Sequence, residues 1–173
     1  MRTIVFLFLC VLSTHAWCEA GDHYNLIKPG SVAIDGNNAS NLTTLGFTYG
    51  IGMTLRLSAE LEGNVSTQGG DYSSANKTGK YELVSLGGYF VHRESITPMT
   101  YAKAKVGVIL VRIDISDDTQ ANPTQINNIA ASLGLGLGWA IPMGEVRYTL
   151  ELEATLLENN LLLFSLGVNF GFL

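Results

Sequence analysis

The residues with chemistry to offer come in alternating files. Glu60 and Glu62 stand two apart, as do Lys103 and Lys105 and, further on, Glu151 and Glu153; Arg56 and Arg147 precede the first and third of these pairs. A spacing of two puts both members of a pair on one face of a β-strand. If the strands that carry them close around a common axis, Arg56, Glu60, Glu62, Lys103, Lys105, Arg147, Glu151 and Glu153 form one lumenal charge network. Such a network can work as a gate, a narrow pore or a catalytic carboxylate pair. It can also simply be satisfied. An isolated buried charge costs several kcal/mol, so opposite charges in a space too tight for bulk water pair with one another. The expectation is a plugged interior with Lys103 and Lys105 set against the glutamates.

Other constellations carry less. Asp114, Asp117 and Asp118 are three acidic residues on a polar stretch, a pattern that is more often solvated than metal-binding. Hydrolysis of a lipid needs a serine nucleophile with a base and acid on the outer rim, and His92-Arg93-Glu94-Ser95 resembles no such triad and falls at an expected periplasmic join. Gly134, Gly136 and Gly138 alternate with leucines and no helix start follows them, so they read as the empty inner face of a strand, not a phosphate cradle. No metal-ligand spacing or nucleotide motif stands out, and no cofactor is expected. The net charge of −5 provides no basic stripe for nucleic acid.

The elements that must position these charges share one design. Thr44 to Met53 sets Leu45, Phe47, Tyr49, Ile51 and Met53 against Thr44, Gly46, Thr48, Gly50 and Gly52. Leu55 to Ser66, Tyr101 to Arg112, Ile129 to Ala140, Glu145 to Leu156 and Leu162 to Phe172 alternate in the same way, one face oily and the other small or polar. Tyr81 to His92 is a strand with apolar residues on both faces, so its register stays open. Closure with both ends on one side needs an even count, which places an eighth strand in Tyr24 to Ile34, interrupted by Pro29-Gly30. Polar connections at Asp35 to Asn41, Thr67 to Gly79 and Ser116 to Asn128 alternate with tight joins near Thr54, at Arg93 to Met99 and at Pro142-Met143-Gly144; the last join, Glu158-Asn159-Asn160, is short. Runs of this length suit tilted strands crossing a hydrocarbon layer of roughly 25–30 Å, and loops long on one side and short on the other fit a transmembrane barrel.

Composition decides which face points out. Charged residues make up 14% of the chain and hydrophobic ones 47%. Roughly 25% charge is usual for a soluble domain, so there is too little here for a water-facing shell. The polar faces are mostly Gly, Ser, Thr, Ala and Asn, which suit the inside of an eight-stranded barrel with room only for side chains. Ahead of the strands, Arg2 and the apolar run Ile4 to Leu12 form an export signal, with cleavage after Ala16 or Ala20. Residues 1–20 are therefore expected to be a signal peptide and residues 21–173 one barrel domain. A cut after Ala20 removes both Cys10 and Cys18; a cut after Ala16 leaves Cys18 as a lone thiol.

The segment Ser165-Leu166-Gly167-Val168-Asn169-Phe170-Gly171-Phe172 resembles the C-terminal signal read by the barrel-assembly machinery, with Ser165, Gly167, Phe170 and Phe172 in its marked positions and Leu173 one residue beyond the usual end. With the export signal, the strand count and the Gly-rich alternation, the chain resembles the small outer-membrane β-barrel family of opacity-type and OmpA/OmpX-like barrels. The resemblance implies an all-β, eight-stranded antiparallel up-and-down transmembrane barrel in the outer membrane of a Gram-negative bacterium. It implies a monomer in contact with outer-membrane lipid, lipopolysaccharide and the assembly machinery. The implied role is non-enzymatic, in envelope structure or surface interaction through extracellular loops. The alternatives are a lipid-modifying outer-membrane enzyme and a narrow pore.

Overall fold

The computed structural model describes residues 21–34, 40–74, 77–117, 124–143, 146–158 and 161–172, and their regular structure is entirely β. The expected signal peptide lies outside the described residues. The strands are β1 (His23–Ile34), β2 (Leu42–Gly52), β3 (Leu57–Ser66), β4 (Gly70–Ser74), β5 (Lys77–Thr97), β6 (Thr100–Asp117), β7 (Thr124–Met143), β8 (Val146–Glu158) and β9 (Leu161–Phe172). They pair antiparallel in the order β3-β2-β1-β9-β8-β7-β6-β5-β4, and a further β3–β5 pairing closes the sheet on itself. Eight strands form the barrel. The ninth, β4, is peripheral and pairs with the start of β5 beyond the rim.

Strict alternation drives the closure. Along β2, buried and exposed residues alternate without a break. Every barrel strand turns a large apolar side chain outward: Ile27, Phe47, Leu61, Phe90, Val108, Leu135, Leu152 and Phe164 are all exposed, and Leu135 reaches 70%. Water would not tolerate a continuous ring of this kind, whereas acyl chains do. In lipid no backbone group finds water, so the sheet must close to pair its own edges. The fold is that of a transmembrane β-barrel.

Several local expectations change. β1 begins at His23 and is paired on both sides. Its ladder to β9 skips Lys28 and Pro29, while the ladder to β2 runs through Pro29, because proline has no N–H to give on one side. β5 takes a definite register with Tyr81, Leu83, Ser85, Gly87, Tyr89, Val91 and Arg93 inward. It continues to Thr97, so Arg93 to Thr97 is strand and the turn is confined to Pro98-Met99. The stretches expected as long loops are shortened from both ends, since β4 and β5 enter 67–79 while β6 and β7 reach Asp117 and Thr124.

Both ends of the described chain lie at one end of the barrel, the near end, with the turns after β2, β5 and β7; the other connections lie at the far end. The lumen is filled in two layers. Val32, Leu42, Leu83, Ile109, Val111, Leu157, Leu161 and Leu163 pack into an apolar layer toward the far end, closed by Tyr81, whose hydroxyl donates to the Ser40 carbonyl. Toward the near end the filling is charged.

Candidate functional site

The near-end layer is built from strands that cross at one level. β3 brings Glu60 and Glu62, β8 brings Glu151 and Glu153, β6 brings Lys103 and Lys105, β1 brings Lys28 and β5 brings Arg93. Each is an inward position in the two-residue period of its strand. All eight side chains are buried. Four carboxylates therefore face four cations, and the cluster is formally neutral.

The contacts interlock. Lys28 Nζ lies 2.5 Å from Glu62 and 2.7 Å from Glu153. Lys105 Nζ repeats that choice, at 2.9 Å from Glu62 and 2.5 Å from Glu153. Lys103 Nζ reaches three carboxylates, Glu60 at 3.0 Å and Glu151 and Glu153 at 2.9 Å. Arg93 bridges Glu60 at 2.7 Å and Glu151 at 3.3 Å, and its other nitrogen donates to Ser58 Oγ at 2.7 Å. No charge in the cluster depends on one partner. That matters because desolvating an ion costs several kcal/mol, which only close and multiple pairing offsets.

Hydroxyls and aromatic rings complete the shell. Tyr24 donates to Glu60 at 2.7 Å, Tyr101 donates to Glu151, and Thr155 donates to Glu153 at 2.8 Å. The Arg93 guanidinium lies 4.7 Å from the Tyr24 ring centroid, and the Lys105 ammonium lies 4.2 Å from that of Tyr89. Glycines make room for the rings. A Cβ on Gly50 would collide with the Tyr24 ring, and one on Gly138 with the Tyr101 ring. The small inner faces of β2 and β7 are thus sockets for the bulky inner residues of β1 and β6.

Oxygens of Glu60, Glu62 and Glu153 lie within 4.8 Å of one another, close enough to ligate a hard cation. The ammonium groups of Lys28, Lys103 and Lys105 already stand among these oxygens at 2.5 to 3.0 Å. The positive charge at this point is supplied by the chain itself.

Six of the residues expected in the lumen therefore come together: Glu60, Glu62, Lys103, Lys105, Glu151 and Glu153. Arg56 does not join them. It lies in the bend before β3, at the near-end rim, and pairs with Glu94 at 3.3 Å. The two-residue period that assigned it inward ends at that bend. The side chains of Arg147, Phe170 and Phe172 lie outside the described part of the structure, while Ser165 and Gly167 face the lumen. Lys28, Arg93, Tyr24, Tyr89 and Tyr101 are the members that sequence reasoning missed. Lys28 shares strand parity with Tyr24 and Leu26, the signal that would have found it. The other candidates stay outside the cluster: His92 is a rim residue 3.5 Å from Glu94, and Asp114 is a surface residue held by Arg112 at 2.9 Å.

A closed eight-stranded barrel with an apolar skin and an ion-paired interior defines the class of protein. Similar architecture is found in solved outer-membrane barrels. The neisserial surface protein A (NspA) superposes with a TM-score of 0.61 at 13% identity, over 87% of this chain and 97% of that one. Ail, the attachment invasion locus protein of Yersinia pestis, superposes with 0.58 at 16% identity, over 87% and 98%. OprG, an outer-membrane protein of Pseudomonas aeruginosa, gives 0.57 at 10% identity, over 88% and 96%. At these identities the likeness is one of fold. No protein-family model and no curated relative matches the chain.

Proposed function

We propose that the chain is exported behind a signal peptide at residues 1–20 and inserted into the outer membrane of a Gram-negative bacterium through the Ser165–Phe172 signal. There it stands in lipid and lipopolysaccharide as a non-enzymatic, non-conducting barrel that acts through its far-end surface. The single observation that carries this reading is the opposition of the two surfaces: large apolar side chains all round the outside, and a lumen filled with paired ions and packed aliphatics. An ion crossing this lumen would have to displace buried ammonium–carboxylate pairs and then traverse an apolar layer. With its interior committed to filling, such a barrel offers its rim and loops for function. Similarity in fold to a neisserial surface protein and to a Yersinia attachment invasion locus protein supports a surface role. Each of the four carboxylates of the cluster is held by at least two cations, so none of them stands unpaired as an acid or base.

The test is made on membrane fractions and in planar bilayers. The expected result is heat-modifiable migration of outer-membrane material, with no steady unitary conductance from the purified barrel. Ion-selective steps, or recovery in the soluble fraction without detergent, contradict the reading.

A further inference from the structure

Between the turn after β2 and the outward face of β5, the near-end rim carries a pocket of about 340 Å³, lined by Thr54, Leu55, Arg56, Leu57 and His92. Backbone bonds fix its walls. Met53 N–H and Thr54 N–H both donate to the Leu57 carbonyl, at 2.8 and 3.0 Å, and Arg93 N–H donates to the Arg56 carbonyl at 2.8 Å, which ties the turn to β5. Thr54 Oγ1 accepts the Leu57 N–H at 3.0 Å, so its own hydroxyl proton can be donated to something else. Arg56 Nη1 lies 3.3 Å from Glu94, and His92 Nε2 lies 3.5 Å from the same carboxylate oxygen. Glu94 itself does not line the pocket. A guanidinium carries a fork of N–H donors, enough to keep a carboxylate and engage a phosphate oxygen as well. One side of the pocket therefore presents a hydroxyl, a guanidinium and an imidazole. The other side, Leu55 and Leu57, is oily and exposed.

A furrow leads away from this pocket along the outer wall. β3 and β5 pair Leu57 with His92, Ala59 with Phe90, Leu61 with Gly88 and Gly63 with Leu86, and all of these residues lie on the outward face. After the first row, each row sets one small residue beside one large one, and the small member changes strand from Ala59 to Gly88 to Gly63. A Cβ on Gly88 would meet nothing, and one on Gly63 would meet its nearest atoms at 3.8 and 3.9 Å, so the seam is open along its length. From Leu57 to Gly63 it runs roughly 20 Å, at about 3.3 Å per residue. A strand tilt of about 40° turns that into roughly 15 Å of depth, half of a hydrocarbon layer of roughly 30 Å. The furrow is as deep as one leaflet.

We infer that the pocket and the furrow are one binding site for a glycerophospholipid of the near-end leaflet. Arg56, His92 and Thr54 take the phosphodiester, and an acyl chain lies along the β3–β5 seam. A free phosphate ion would use the pocket and leave the furrow unused. Lipid that merely wets an apolar wall would use the furrow without the pocket. The inference rests on the membrane reading above for the leaflet it meets, and on this geometry alone for its chemistry.

The test uses the full barrel in maltoside micelles, titrated with dimyristoylphosphatidylethanolamine, and separately with dimyristoylglycerol and inorganic phosphate as the two halves of that ligand. Saturable shifts of the Ala59 methyl and His92 ring resonances are expected from the phospholipid and from neither half. Arg56→Ala removes a phosphate partner and is expected to weaken binding about tenfold. Gly88→Leu fills the furrow, where the added side chain meets no neighbour, and is expected to weaken binding by a similar factor. Heat-modifiable migration checks that both variant barrels are intact. An equal response to dimyristoylglycerol, saturation by phosphate alone, or unchanged affinity in either variant overturns the inference. Labelling of Met99→Cys, an exposed position in the near-end turn after β5, by a membrane-impermeant maleimide separates the site from the reading above. Labelling on intact cells together with phospholipid binding sinks that reading and leaves the binding chemistry standing. Labelling only after the outer membrane is opened, without phospholipid binding, sinks the site alone.

Discussion

The near-end and far-end halves of the lumen solve one packing problem with opposite chemistry. Both fill a tube too narrow for bulk water. The near end uses four carboxylates, four cations and three tyrosines; the far end uses aliphatic side chains and one tyrosine. The ionic half has high cross-linking, since Glu153 alone touches Lys28, Lys103 and Lys105, which come from two different strands. Its stability is conditional on every partner being present. The aliphatic half is non-directional and loses only the atoms removed plus the void they leave. The lesson is that a barrel interior can be polar without being a channel: neutrality of the cluster, not apolarity, closes the near end.

The sharpest way to break that comparison is to unbalance the ionic half. Glu153→Leu leaves three ammonium groups sharing fewer carboxylates and is expected to destabilise the barrel by about 3–5 kcal/mol, read by urea unfolding in bilayers. In the aliphatic half, Leu163→Ala is expected to cost about 2–4 kcal/mol in the same assay, with no new charge exposed. If Glu153→Leu proves neutral, the cluster is not the conditional structure described here. Gly138→Val tests the socket that joins the layers to the wall. Its side chain would drive Tyr101 from its place beside Glu151, at an expected cost of about 1–3 kcal/mol, with altered Tyr101 ring resonances by NMR. Smallest is Arg56→Ala at the near-end rim. The Arg56–Glu94 pair is partly exposed, so the change is expected to stay under about 1 kcal/mol and to vanish at high salt.

The same contrast explains what could be read from the chain. β2 from Thr44 on and β9 from Ser165 on were legible because there the inner face is small and the outer face oily, so period and polarity agree. β5 was not, because its inner face holds Tyr81, Leu83 and Val91, buried apolar residues that erase the difference between the faces. Lys28 was hidden by Pro29-Gly30, which weakened the strand assignment around it, and Arg93 by the turn expected from residue 93 onward. Arg56 shows the converse error: parity carried one period too far, across the bend at 53–56. The charges on unambiguous strands, Glu60, Glu62, Lys103, Lys105, Glu151 and Glu153, follow from parity alone. Which of them touch depends on the stagger between strands, and no single strand's pattern encodes that.

The direction in which Leu135 points tests the membrane-spanning barrel most directly. Trp139 is the single tryptophan of residues 21–173, so Trp139→Phe combined with Leu135→Trp places one reporter in the middle of the expected belt. In bilayers of brominated phospholipid, its fluorescence is expected to be blue-shifted, strongly quenched by bromine on the acyl chains and untouched by aqueous iodide. Quenching by iodide with no response to brominated chains would place that face in water and contradict the membrane-spanning barrel.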